Sequence, residues 1–158
     1  MDPKHESFVY LSEIKFRAYS FGDRFLAARF RKAINAAIVD DIKSCVLNAY
    51  KFMRLIRNAY DNVPASCPII QLLVDQFCDN WEERDDDEDS LVNALPDKFL
   101  SRAFRRFMQL KQASRKTKSA GISNMKRCYY EHITDAEKAK CGNLHMAYHG
   151  GKDFGNFG

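Results

Sequence analysis

Apolar residues recur three and four positions apart along most of the first 110 residues, the spacing that lines one face of an α-helix. Leu11, Ile14, Ala18 and Phe21 keep it, predicting an amphipathic helix over about residues 7–21, with Gly22-Asp23 as a stop. Leu26, Phe30, Ala33, Ile34, Ala37 and Ile38 continue the pattern as a second helix that frays at Asp41. On that helix Arg29, Arg31, Lys32 and Asn35 fall mostly on the opposite, polar side. A third helix fits residues 46–60, with Val46, Ala49, Tyr50, Met53, Ile56 and Tyr60 sharing a face. The fourth, over residues 69–81, has Ile69, Ile70, Leu72, Leu73, Val74, Phe77, Cys78 and Trp81 and almost no polar side. A helix that is apolar nearly all round must be covered from several directions, which makes this one the expected centre of the fold.

The junction between the third and fourth helices is set by two prolines. Pro64 disfavours helical geometry at Val63 and so ends the third helix. Pro68 suits a first helical turn, where its missing N–H has no partner to lose. Downstream, Asp85-Asp86-Asp87-Glu88-Asp89 repel one another and prefer water, so residues 82–94 read as an acidic solvated loop. Leu95-Pro96-Asp97 opens a fifth helix, whose apolar stripe is Phe99, Ala103, Phe104, Phe107 and Leu110 and whose basic side is Arg102, Arg105, Arg106 and Lys111. The periodicity then fades into Lys, Arg, Ser, Thr and Gly, and the chain ends Gly-rich. The expected architecture is therefore all-α: a compact bundle of about five helices over residues 7–112, followed by a disordered or loosely folded basic tail over residues 113–158.

Composition agrees with this reading. Among 158 residues, 12 Phe and 7 Tyr supply a core, while 7 Gly and 4 Pro are few for a turn-rich β fold. No apolar run approaches the ~20 residues of a membrane helix. Without a signal-peptide pattern, the five cysteines read as reduced thiols, with a cytoplasmic or nuclear location. The net charge of +4 conceals an acidic block at residues 79–97 between a mildly basic first half and a strongly basic end.

Several motifs then align with a known family. Phe16-Arg17-Ala18-Tyr19-Ser20-Phe21-Gly22-Asp23-Arg24-Phe25 is followed by Phe30-Arg31-Lys32-Ala33-Ile34-Asn35-Ala36-Ala37-Ile38. Ala59-Tyr60-Asp61-Asn62-Val63-Pro64, Leu72-Leu73-Val74-Asp75 and Leu95-Pro96-Asp97-Lys98-Phe99-Leu100 come after. In order and spacing this set, covering residues 8–110, resembles the C-terminal helical region of fungal BTB/POZ-domain proteins. Two departures stand out. Cys67-Pro68-Ile69-Ile70-Gln71 replaces the family's usual Ser-Pro-Leu-Arg, losing a charge, and the α/β BTB core is not found in this sequence. Dimerisation and cullin contact, which belong to that core, are therefore not carried over. The resemblance implies a helical extension that acts as a spacer or protein-binding surface. It also implies that the stretch from Cys128 to Cys141 is a shared feature of the family's tails.

Candidate chemistry is sparse. Cys128, His132, Cys141, His145 and His149 have the spacing C-x3-H-x8-C-x3-H-x3-H, which pairs a thiol with an imidazole one helical turn apart, twice. Zinc takes tetrahedral sets of such ligands, yet the grouping differs from the standard finger, so the expectation is a polar tail with incidental thiols and no metal site. Residues 98–127 carry 10 Lys/Arg and no acid, read as a solvated face rather than a base-reading surface. Cys45, Cys67 and Cys78 lack a nearby histidine, and no phosphate loop or hydrolase signature occurs. No catalytic, cofactor-binding or metal residues are assigned. The expected function is a non-enzymatic adaptor with a protein partner, binding through an apolar groove beside Trp81, Phe99, Phe104 and Phe107. The alternative is a nuclear, nucleic-acid-associated protein using residues 98–127 in weak nonspecific contact, with a zinc-binding tail.

Overall fold

In a computed structural model of the chain, residues 3–44, 48–80, 92–116 and 128–141 are described. These residues form six α-helices and no strand: α1 (Pro3–Arg24), α2 (Ala28–Ser44), α3 (Ala49–Asn62), α4 (Pro68–Asn80), α5 (Asp97–Lys116) and α6 (Asp135–Cys141). The all-α expectation holds. α4 packs against α2, α3 and α5, and α1 lies across α2 and α3. Eight of the 13 residues of α4 are buried, as a helix without a polar side requires. Its core partners include Phe99, whose ring meets those of Phe77 and Tyr60 edge-on at centroid distances of 5.1 and 5.9 Å.

The proline corner forms as expected. Val63 caps α3 in extended geometry (φ −117°, ψ 148°), and Pro68 is the first residue of α4. At its other end α3 begins at Ala49, because Asn48 accepts a hydrogen bond from the Lys51 N–H at 2.9 Å as an N-cap. Val46 and Trp81 lie outside the described residues.

Two helices bury faces other than those the periodicity suggests. On α1 the inward row is Val9, Ser12, Phe16 and Tyr19; Leu11, Ile14 and Phe21, expected inside, are exposed. The Ser12 hydroxyl satisfies itself on the Phe8 carbonyl at 2.8 Å, so a polar residue sits on the buried face at little cost. On α2 the buried residues are Asn35, Ile38, Val39 and Ile42, while Phe30 and Ala33 face solvent. Asn35, expected on the polar side, is fully enclosed.

Gly22 does not stop α1, which runs on to Arg24. A Cβ at Gly22 would lie 2.9 Å from a Phe30 ring carbon and 3.3 Å from the Arg31 Cα, so the glycine serves the close approach of α1 and α2. The helix instead ends in a Schellman turn: Ala27 N–H reaches the Gly22 carbonyl at 2.8 Å and Leu26 N–H the Asp23 carbonyl at 3.2 Å. That geometry puts Leu26 at φ 54°, where glycine is the usual occupant.

Candidate functional site

Residues 128–141 fall in the stretch read as tail, yet they dock on the bundle, and the surface that receives them is the polar side of α2. The Asn35 side-chain amide acts like one rung of a strand: its Nδ2 donates to the Tyr129 carbonyl at 3.3 Å and its Oδ1 accepts from the Glu131 N–H at 2.8 Å. One turn earlier Arg31 Nε pairs with Glu131 at 2.9 Å, and Lys32 pairs with Glu137 at 2.6 Å. Further along, Asp40 accepts from the Tyr130 hydroxyl at 2.6 Å, and the Lys43 ammonium stands 4.6 Å from the Tyr130 ring centroid. α1 contributes Tyr19, whose hydroxyl donates to Glu131. Burial, then neighbouring Cys67 and Glu131, raise the Tyr19 pKa, so it stays a neutral donor.

Beneath this segment lies a buried ionic centre. Asp75 of α4, 3% exposed, pairs with Arg106 of α5 at 2.7 Å, accepts the Tyr129 hydroxyl at 2.7 Å and takes a hydrogen bond from Gln71 at 3.1 Å. Gln71, where the resembled family carries a charge, thus turns to an acid on its own helix. Arg106 is committed internally, and Arg102 lies against Tyr60, so the basic side of α5 offers less charge outward than its count of cations suggests. Residues 117–127 of the basic stretch lie outside the described residues.

Three of the five Cys/His candidates converge. Cys128 Sγ lies 3.4 Å from His132 Nε2, Cys141 Sγ lies 3.0 Å from the same nitrogen, and the two sulfurs are 3.5 Å apart. All three are half-exposed, both cysteines are free thiols, and the three ligand atoms form a metal-compatible group. Hydrogen bonding to Cys128, then desolvation and its charge, raise the Cys141 pKa. His145 and His149 lie outside the described residues. The sequence held one overlooked signal here: Thr134-Asp135-Ala136-Glu137 is a capping-box pattern. Thr134 Oγ1 accepts the Glu137 N–H at 3.2 Å, and Glu137 accepts the Ile133 N–H at 2.8 Å, which starts α6 and positions Cys141 at its end.

The other cysteine candidates do not make a reactive site. Cys67 and Cys78 are buried, and desolvation pushes both thiols up to about 12, far from the thiolate a nucleophile needs at neutral pH. Cys45 lies outside the described residues. The expected groove is also not formed as drawn: Phe99 is 0% exposed and Phe107 packs on the core, leaving Phe104 exposed.

The exposed apolar surface lies instead on α1 and its turn. Leu11, Ile14, Phe21 and Phe25 are exposed, and with Ala18 they are spaced 3, 4, 3 and 4 apart, the repeat of a helix–helix seam. Phe21 stacks on Phe25 (centroids 4.4 Å) and meets Phe30 edge-on, and Leu26 projects beside them with 85% of its surface in water. Arg17 and Arg24 flank this row on one side and Lys15 on the other; Arg17 is bonded to Glu13, and Lys15 to Asp41. Among the described residues no helix is long and apolar enough to cross a membrane. Compared with known protein families, curated proteins and solved structures, the chain matches none.

Proposed function

We propose that this protein is a non-enzymatic interaction module that receives an amphipathic helix with acidic flanks on the outer face of α1. The observation that carries this reading is the row Leu11, Ile14, Ala18, Phe21 and Phe25, which keeps seam spacing while the helix buries a different face. An exposed contiguous apolar surface of this kind is typical of recognition sites. The flanks choose the partner. Lys15, Arg17 and Arg24 occupy the flank positions of the seam; Arg17 is held by Glu13 and Lys15 by Asp41, so Arg24 sets the preference. A second copy of α1 offers it no acid, because the flank positions of α1 are Tyr10, Lys15, Arg17, Gly22 and Arg24. A helix bearing Glu at those positions meets opposite charge instead. Leu26 adds a second argument: it holds an unfavourable backbone conformation with its side chain in water, and such strain gathers at contact sites. The adaptor role, the resemblance to a fungal BTB helical extension and a cytoplasmic or nuclear setting belong to this same reading.

The test uses a synthetic helix with Leu at its seam positions and Glu on both flanks, followed by fluorescence anisotropy against the full chain. Salt-sensitive binding that Phe25→Ala and Arg24→Glu each weaken at least ~10-fold supports the reading. Absence of binding, or a concentration-dependent dimer through the same residues in sedimentation equilibrium, overturns it.

A further inference from the structure

We propose that Cys128, His132 and Cys141 form a zinc site that clamps the docked segment onto the bundle. With Zn–S of ~2.3 Å and Zn–N of ~2.0 Å, a tetrahedral ion spaces two sulfurs about 3.8 Å apart and a sulfur and a nitrogen about 3.5 Å apart. The observed separations, 3.5 Å between sulfurs and 3.4 and 3.0 Å from sulfur to nitrogen, differ from these edges by a few tenths of an ångström. They are far beyond the ~2.05 Å of a disulfide. Two thiolates and an imidazole are the donor set that suits zinc among the common divalent ions.

The ligands are brought together from two independently fixed pieces. Cys128 and His132 bracket the stretch that Asn35 holds by the backbone of Tyr129 and Glu131 and that Asp75 holds by the Tyr129 hydroxyl. Cys141 arrives from the end of α6, whose start is capped by Thr134 and Glu137 and tied to α2 through Lys32. Contacts that form without any ion thus aim three ligand atoms at one point. The half-exposed setting gives the ion a way in and leaves the fourth vertex to a water molecule. Binding takes Zn²⁺ from solution, releases the two thiol protons to solvent and forms two Zn–S bonds and one Zn–N bond. Because the closed loop then includes Tyr129, Tyr130 and Glu131, the metal should slow their detachment from α2.

The site shares no residue with the α1 face, and its readout needs no partner, so either proposal can fail alone. The experiment measures metal content of the full chain purified under reducing conditions, then titrates it with Co²⁺ and competes with Zn²⁺. One zinc per chain, visible bands of tetrahedral cobalt with sulfur-to-metal charge transfer, and zinc-dependent protection of the Tyr129 and Glu131 amides from exchange are expected. Cys128→Ser and Cys141→Ser should each weaken zinc at least ~100-fold while helicity by circular dichroism is kept. His132→Gln provides a variant that removes no thiol and should lose the same fraction of affinity. Three outcomes overturn the proposal: free thiols with no metal at stoichiometric zinc, zinc retained in the double serine variant, or a native mass lighter by two hydrogens, which marks a disulfide.

Discussion

The outer face of α1 and the polar side of α2 are opposites. The first is a regular apolar row that stands in water; the second is a row of Arg, Lys, Asn and Asp onto which another part of the chain docks, enclosing Asn35, partly covering Arg31 and Lys32 and leaving Asp40 and Lys43 exposed. Hydrophobic spacing alone assigns the core to the first and solvent to the second. What reverses the assignment on α2 is polar pairing: each group on the row from Arg31 to Lys43 meets a specific partner on residues 129–137. Matched hydrogen bonds and charges allow a polar face to be buried, whereas an apolar face is buried only if something is there to cover it. On α1 nothing in the described chain covers the row, since Val9, Phe16 and Tyr19 already occupy the core side.

This contrast can be broken first at the ionic centre. Asp75→Ala strands the Arg106 guanidinium and the Tyr129 hydroxyl in a buried setting and should cost about 3–5 kcal/mol in urea unfolding. Asn35→Ala, which leaves the Tyr129 carbonyl and the Glu131 N–H unsatisfied, should cost about 2 kcal/mol and raise exchange at Glu131.

Acid gives a graded version of the same test. The Lys32 ammonium, together with the Ile133 N–H, holds the Glu137 carboxyl down to about 2, below its ordinary 4.5. A depressed carboxyl contributes fully above its ordinary pKa and loses that contribution as pH falls through the folded value. Docking should therefore loosen between about pH 4.5 and 2, read at the Ile133 amide by NMR, and Lys32→Ala should move the step toward higher pH.

The smallest effects belong to the exposed row. Leu26→Gly should stabilise the isolated domain by about 0.5–1 kcal/mol, because glycine relieves the left-handed backbone. Phe25→Ala should stay within about 0.5 kcal/mol of wild type. A loss of several kcal/mol on Phe25→Ala would show that the row is packed after all, and the contrast would collapse.

The sequence was legible where one signal dominated. α4, apolar on nearly every side, sits at the centre, and Pro64 and Pro68 mark its corner as expected. α3 and α5 bury most of the predicted stripe, though Tyr50 and Phe104 face water. The α1 stripe failed, and that of α2 held only at Ile34 and Ile38, because each helix carries two candidate faces and hydrophobicity ranks them without knowing which neighbours will be present. Ser12 and Asn35 are polar on buried faces for reasons visible only once Phe8 and residues 129–131 are in position. The Cys/His cluster was legible only as residue types: Cys128 and His132 do meet, but not across a helical turn, since residues 128–134 are not helical. The arrival of Cys141 depends on α6, whose seven residues show little periodicity and whose local signal was its capping box.

Asn35 has one more consequence, for how this chain tolerates change in length. Its amide reads backbone, not side chain, so it would accept almost any sequence at residues 129 and 131. A slip of two residues would leave both of its hydrogen bonds intact while carrying Tyr129 away from Asp75 and Glu131 away from Arg31. An insertion or deletion between Cys128 and His132 should therefore be damaging even where both Asn35 hydrogen bonds survive, because it parts Tyr129 from Asp75 or Glu131 from Arg31.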